Sequence, residues 1–204
     1  MDNLEKQLIY FTVMLNPFAQ IIALWDMMKQ MTWQEFMHTY GRATFLSLGV
    51  YVLFIFFGHY LVDHIFQIRL SALRIFGGAL MISIAYRNIN SGVKTNVLLN
   101  AKVSDLAPEI SLPYIIGPAT IWLCILIGQS ESATLGLTGI AVIMFANWFF
   151  LVLIHRVISD LERQRQSLVG KYFAVLMRTN SLFIGAIGVD MILSGLLATF
   201  PIIK

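Results

Sequence analysis

Two prolines lie inside long apolar stretches of this chain: Pro17, preceded by Asn16, and Pro118, preceded by Gly117. Proline in a helix interior removes one amide donor and clashes with the carbonyl four residues back. Asparagine is a good N-cap and proline is favoured at the first helical position, so Asn16-Pro17 reads as a fresh helix start with Phe18 in its first turn. Gly117-Pro118-Ala119-Thr120 reads the same way, the glycine allowing another group to approach closely and Thr120 lying one turn in. A helix start at membrane depth offers free amides and a partial positive charge, which suits a carboxylate. The candidate substrate contacts are therefore Asn16, Pro17, Phe18, Gly117, Pro118, Ala119 and Thr120. The alternative for either proline is a plain kink, tolerated where protein or a watery cavity satisfies the freed carbonyl.

Other polar residues in apolar surroundings have two readings each. Asp190 is a proton-coupling carboxylate or the partner of a cation if buried, and an ordinary acid if it lies near the outer interface. Arg74 and Arg178 pair with helix ends or acids, or snorkel to the interface. Asn147, in mid-stretch, needs a partner, either another helix or a substrate. His59 and Asp63 share a helix face, with His64 beside them, a spacing that suits a metal; near the end of an apolar run the same residues are simply solvated. The chain contains no nucleotide-binding loop, no His-Glu-x-x-His, no Gly-x-Ser-x-Gly and no nucleophile–base pair, so neither an enzyme nor a cofactor is expected. Cys124 is the single cysteine, which excludes an intrachain disulfide and a Cys-x-x-Cys pair and reads as a core side chain.

The elements that must position these residues follow from composition. The 204 residues are 58% hydrophobic and 12% charged, about half the usual share of roughly 25% charged. Such a chain cannot cover an ordinary core with a polar surface, and the bilayer is the solvent that its composition requires. The +3 net charge reflects cytoplasmic loops, and no basic stripe with interleaved aromatics suggests nucleic acid. Asp2 and Glu5 precede the first apolar run, where a cleavable signal would be positive, so the first span is expected to remain in the mature protein.

Six spans are expected: 8–28, 41–61, 70–89, 110–129, 133–154 and 172–200. Thr32-Trp-Gln-Glu35 has the form of a capping box ahead of the second. The polar segment 91–109 divides a first repeat, about 1–90, from a second, about 110–204, within a single membrane domain. Six spans place both termini on one side, with Lys6, Arg69, Arg74 and Lys204, while the other ten lysines and arginines lie opposite. This predicts termini facing outward, periplasmic or extracellular, in a multi-pass protein.

The halves correspond. Spans one and four carry the central prolines; spans three and six carry Arg74 and Arg178 near their starts, each followed three residues on by a small residue, Gly77 or Ser181. The proline-to-arginine separations are 57 and 60 positions. Two tandem three-span halves are necessarily inverted. Inverted repeats whose helices are interrupted near mid-membrane, here helices one and four, are the architecture of many secondary transporters.

These residues also carry a family likeness. Asn16-Pro17, Leu73-Arg74-Ile-Phe-Gly77-Gly78-Ala-Leu80, Pro113-Tyr-Ile-Ile-Gly117-Pro118-Ala119-Thr120-Ile121 and Gly188-Val-Asp190-Met-Ile-Leu-Ser-Gly195-Leu together resemble the MarC family of bacterial inner-membrane proteins, which includes the SnatA-type neutral amino acid transporters. Three positions depart from it: Ala119 where glycine is frequent, Thr179-Asn180-Ser181 in place of an aliphatic pair and glycine, and Asp190 in place of glutamine. The resemblance implies a bacterial inner membrane, six spans, outward termini and, for some members, transport of glycine, alanine, serine or threonine. The expected partners are a small neutral solute and the lipid bilayer. The alternatives are a non-transporting scaffold or regulatory protein, and a permease for another small solute or a metal ion.

Overall fold

The computed structural model describes residues 3–65, 67–90, 107, 110–111, 115–130, 133–159 and 163–200. Apart from short connections, these residues are helical. Helices α1 (Asn3–Leu15), α2 (Pro17–Ala23) and α3 (Trp25–Gln30) follow one another along the first apolar stretch. Helix α4 (Trp33–Tyr60) ends in a π-turn at Leu61–Ile65, and α5 covers Leu70–Asn90. Then come α6 (Pro118–Gly128), α7 (Ala133–Ser159) and α8 (Arg163–Thr199).

The first expected span, with its expected break at Pro17, is divided again at Leu24 into three helical pieces. Asn16 takes a left-handed conformation (φ 44°, ψ 70°) and Pro17 starts the next helix, so the hydrogen-bond ladder cannot run through. The fourth expected span is interrupted at Pro118, where its second piece, α6, starts. At about 1.5 Å per residue the 11 residues of α6 reach ~16 Å, roughly half the ~30 Å hydrocarbon layer. Three helical segments among the described residues are long and apolar enough to cross a membrane: Trp33–Ile65, Ala133–Ser159 and Leu168–Thr199. Helix α5 begins at Leu70 and α7 at Ala133, both as expected.

Helix α4 begins ahead of the expected span because its capping box forms: the Thr32 amide donates to Glu35 Oε2 at 2.9 Å, and the Glu35 amide to Thr32 Oγ1 at 3.4 Å. Helix α8 takes in part of the expected charged connection, since Arg163, Gln164, Arg165 and Gln166 are good helix formers. Nearly all of the expected linker 91–109 lies outside the described residues.

The buried positions of α4 include Tyr40, Ala43, Ser47, Tyr51, Ile55 and Gly58, one stripe at helical spacing. Its opposite face shows Phe45, Phe56 and Phe57 to the surroundings, and α7 shows Val142, Phe145 and Phe149. A contiguous apolar exterior of this kind suits lipid and not water. Helices α5 and α8 pack antiparallel with their backbones nearly touching. A methyl group on Gly188 would stand 2.8 Å from the Gly78 carbonyl oxygen, and one on Gly195 would stand 2.9 Å from that of Ser71. Among lipid tails, close approach through small residues supplies the packing that water expulsion supplies elsewhere.

Candidate binding site at the paired helix breaks

At the first break the Asn16 Oδ1 accepts the Ala19 amide at 3.1 Å, a side-chain N-cap for α2. Two carbonyls at the end of α1 find partners outside the helix. The Gln20 side-chain amide donates to the Leu15 carbonyl at 2.6 Å, and that of Asn180, from α8, donates to the Val13 carbonyl at 3.1 Å. Val13 stands four residues before Pro17, so its carbonyl is the one that the missing proline N–H leaves unbonded.

At the second break Gly117 is extended (φ −118°, ψ 160°), and Thr120 folds back on it. The Gly117 amide donates to Thr120 Oγ1 at 3.0 Å, and Thr120 Oγ1 donates to the Gly117 carbonyl at 2.8 Å. The Tyr51 hydroxyl, from α4, donates to the Ile115 carbonyl at 2.7 Å and lies 3.2 Å from Thr120 Oγ1. Ser47 and Ser111 hydroxyls meet at 2.8 Å just behind.

The two breaks face each other across one cavity of about 170 Å³. Asn16, Gly117, Ala119 and Thr120 line it, together with Gln20, Arg87, Asn88 and the apolar Met81 and Ile184. Pockets for drug-sized ligands measure about 300–1,000 Å³, so this one suits a solute of a few heavy atoms. The Ala119 and Thr120 amides, in the first turn of α6, have no acceptor within the helix, whereas that of Ile121 donates to the Gly117 carbonyl. Asn16 is 4% exposed, and its Nδ2 has no partner among the described residues. With the Arg87 guanidinium these donors favour an anionic group. On the other side, the carbonyl end of α1 carries the opposite partial charge. Leu15 and Ile115, whose carbonyls are already engaged once, also line the cavity, and each carbonyl oxygen keeps a second lone pair. Positive and negative ends of broken helices therefore share one small chamber.

A buried polar cluster supports the first break. Asn147 Nδ2 donates to the Tyr40 hydroxyl oxygen at 2.7 Å and lies 3.2 Å from Gln20 Oε1, and the Tyr40 hydroxyl donates to that same Gln20 oxygen. Asn147 is thus tied to other helices, and through Gln20 it holds the edge of the cavity without lining it.

The other expected residues lie elsewhere. Pro17 and Phe18 are not among the cavity-lining residues; Phe18 packs between Phe150 and Phe173, each at a ring distance of 6.4 Å. Pro118 starts α6 beside the chamber. Arg178 is on the exposed surface of α8. Arg74 lies over the Trp122 ring, 5.7 Å from its centroid. Asp190 is exposed on α8, 3.5 Å from the Tyr10 hydroxyl, so it is not a carboxylate sealed inside the bundle. His59 Nδ1 pairs with Asp63 Oδ2 at 3.0 Å, whereas His64 stacks on Tyr60. Among the described residues no three His, Cys, Asp or Glu side chains gather as a metal site would need.

Gln20, Arg87, Asn88 and Tyr51 were not anticipated from sequence. Gln20 alone carried a local signal: a polar side chain three residues after Pro17, within an otherwise apolar run.

Apolar helices with lipid-compatible exteriors, two of them starting at breaks around a small polar chamber, define a helical integral membrane protein. A sequence model of the MarC family, integral membrane proteins, matches residues 1–200, and the chain belongs to that family. It is 24% identical over 200 residues to the "UPF0056 membrane protein YvbG" of Bacillus subtilis (strain 168), covering 92% of this chain and 91% of that protein. It is 22% identical over 184 residues to the "UPF0056 membrane protein PH0214" of Pyrococcus horikoshii, covering 90% and 88%. No solved structure matches the chain.

Proposed function

We propose that the protein is a secondary transporter of small neutral amino acids, of the glycine, alanine, serine and threonine class, working by alternating access. The observation that carries this reading is the meeting of both helix breaks on one small chamber, into which the buried Asn16 amide brings an unpartnered donor. The substrate carboxylate sits at the first turn of α6, near Asn16 Nδ2 and the positive charge of Arg87. Its ammonium group faces the carbonyl end of α1. Thr120 holds the α6 start in shape and Asn16 orients the solute.

The packing is consistent with two inverted three-span repeats. Helices α1 and α6 hold the breaks, and α5 and α8 run antiparallel with Arg74 and Arg178 toward opposite ends of the pair. The distribution of lysine and arginine supports both termini facing outward, and membership of the MarC family supports a bacterial inner membrane. Rocking of one repeat against the other about the chamber then opens it alternately to each side.

The test is uptake of labelled glycine, alanine, serine and threonine into proteoliposomes, with the Asn16→Gly variant alongside. Glycine tolerates the left-handed backbone and costs a cap only a few tenths of a kcal/mol, so the fold survives while the donor is lost. Saturable uptake that falls at least tenfold in Asn16→Gly, and in a Pro17→Ala, Pro118→Ala double variant, is expected. Absence of uptake under both a proton and a sodium gradient with folded protein, or full uptake by Asn16→Gly, overturns the reading.

A further inference from the structure

A second polar cavity, of about 290 Å³, lies further along the same helices. Helices α1, α5, α6 and α8 line both. The first cavity takes Leu15 of α1, Met81 and Asn88 of α5, Ala119 and Thr120 of α6 and Ile184 of α8. The second takes Gln7 and Tyr10 of α1, Arg74 of α5, Trp122 and Leu126 of α6, and Asp190 and Ser194 of α8. On every helix the second set is displaced the same way, toward the end of the bundle where the chain starts. The two chambers are therefore stacked on one axis. Met81, on the first, and Leu123 and Met191, on the second, are each no more than 2% exposed and form the apolar layer between them.

The second chamber has more unsatisfied polar atoms than the first. Gln7 Oε1, Arg74 Nε and Trp122 Nε1 are buried without a hydrogen-bond partner among the described residues, and all three residues line it. Trp122 is only 5% exposed, so water does not reach its ring N–H along the protein surface. A buried polar atom left unpaired is costly, and two donors and an acceptor in one cavity mark a place built for a guest. The guest's chemistry follows from the atoms. Arg74 Nε and Trp122 Nε1 only donate, and Arg74 lies against the Trp122 ring, so the two present an anion-binding corner. Gln7 Oε1 and the Asp190 carboxylate only accept. Tyr10 lies between Asp190 and Lys6, its hydroxyl 3.5 Å from the carboxylate and its ring centroid 5.3 Å from the Lys6 ammonium. With the cations Lys6 and Arg74, the donor Trp122 Nε1 and the acceptors Asp190 and Gln7 Oε1 around one cavity, both ends of a small zwitterion find a partner there.

We propose that this cavity is a second binding site for a small zwitterionic α-amino acid, an outer station on the same axis as the chamber between the helix breaks. Its carboxylate lies on Arg74 and Trp122 and its ammonium on Gln7 and Asp190. The proposal rests on the transporter reading only for the identity of the solute.

Equilibrium dialysis of labelled alanine against the purified full chain in detergent counts the sites. Two equivalents per chain are expected for the wild type. Arg74→Gln and, with the ring retained, Trp122→Phe should each bind one; Asn16→Gly should also bind one, and Asn16→Gly with Arg74→Gln none. Size-exclusion profiles and thermal unfolding show whether each variant is folded. A single equivalent in the wild type that Arg74→Gln and Trp122→Phe leave untouched overturns the second site while the transporter reading stands. A single equivalent lost in those two variants but kept in Asn16→Gly supports the second site and removes the chamber at the breaks instead. No alanine bound by folded wild type overturns both.

Discussion

Asn180 and Val13 are 167 positions apart, and the side-chain amide of one donates to the carbonyl of the other at 3.1 Å. Proline at position 17 creates the need for that bond, and α8 meets it. One break in α1 is thus held from within by the Asn16 cap and from outside by a different helix. Replacing Asn180 by leucine should destabilise the protein modestly, since hydrogen bonds between membrane helices average about 0.6 kcal/mol and reach about 1.7. The measurement is the midpoint of thermal or SDS-induced unfolding in detergent. The companion Pro17→Ala, Asn180→Leu variant should recover part of the loss, because alanine restores the N–H that Val13 lacked. Equal destabilisation in both variants would show that the Asn180 bond does not serve the break.

Thr120 is 2% exposed and closes both polar groups of Gly117. Valine has the same shape without the hydroxyl. Thr120→Val should therefore cost about 1–3 kcal/mol by leaving the Gly117 amide without its acceptor. Thr120→Ser keeps the hydroxyl and should stay near wild type in unfolding experiments. If serine is as damaging as valine, the methyl group and not the cap matters.

The Gln20, Tyr40 and Asn147 cluster binds three helices together inside the bundle. Groups sharing a hydrogen bond are non-additive, typically by about 0.5–3 kcal/mol. A double-mutant cycle of Tyr40→Phe and Asn147→Leu should give a coupling energy in that range. Additive effects within error would mean that each residue acts through packing alone.

Gly78 and Gly49 make a control pair for the α5–α8 contact. A side chain on Gly78 would collide with the Gly188 carbonyl and stand 2.8 Å from Ile192 Cγ1, whereas one on Gly49 meets nothing within 4 Å. Gly78→Leu should cost about 3 kcal/mol or more, at or beyond the upper end for overpacked cores. Gly49→Leu should be neutral or slightly stabilising, since leucine is the better helix former. Detergent-solubilised yield and unfolding midpoint read both.

Local features were legible from the residues alone. The Thr32–Glu35 capping box and the helix starts at Pro17 and Pro118 depend on neighbours within a few positions, and so appear in the sequence as patterns. The Leu70 and Ala133 helix starts were visible in the same way, as edges of long apolar runs. Hydropathy determined that lipid, not water, surrounds this chain, because the side chains that need burial outnumber what a small core can hold. Tertiary structure alone decided which groups meet. Tyr40 and Tyr51 look like any aromatic residue in an apolar run, yet one holds Gln20 and the other caps Ile115. Asp190 sits mid-stretch by sequence but lies exposed beside Tyr10. Asn16 and Gly117 are 101 positions apart; the matching places of Pro17 and Pro118 in the two halves led to the expectation that they share a site, but only the packing decided that Gln20, Arg87 and Asn88 line the chamber with them. A buried polar atom is satisfied by whichever donor or acceptor the packing of helices brings within about 3 Å, and that distance is a property of the folded bundle rather than of the order of residues.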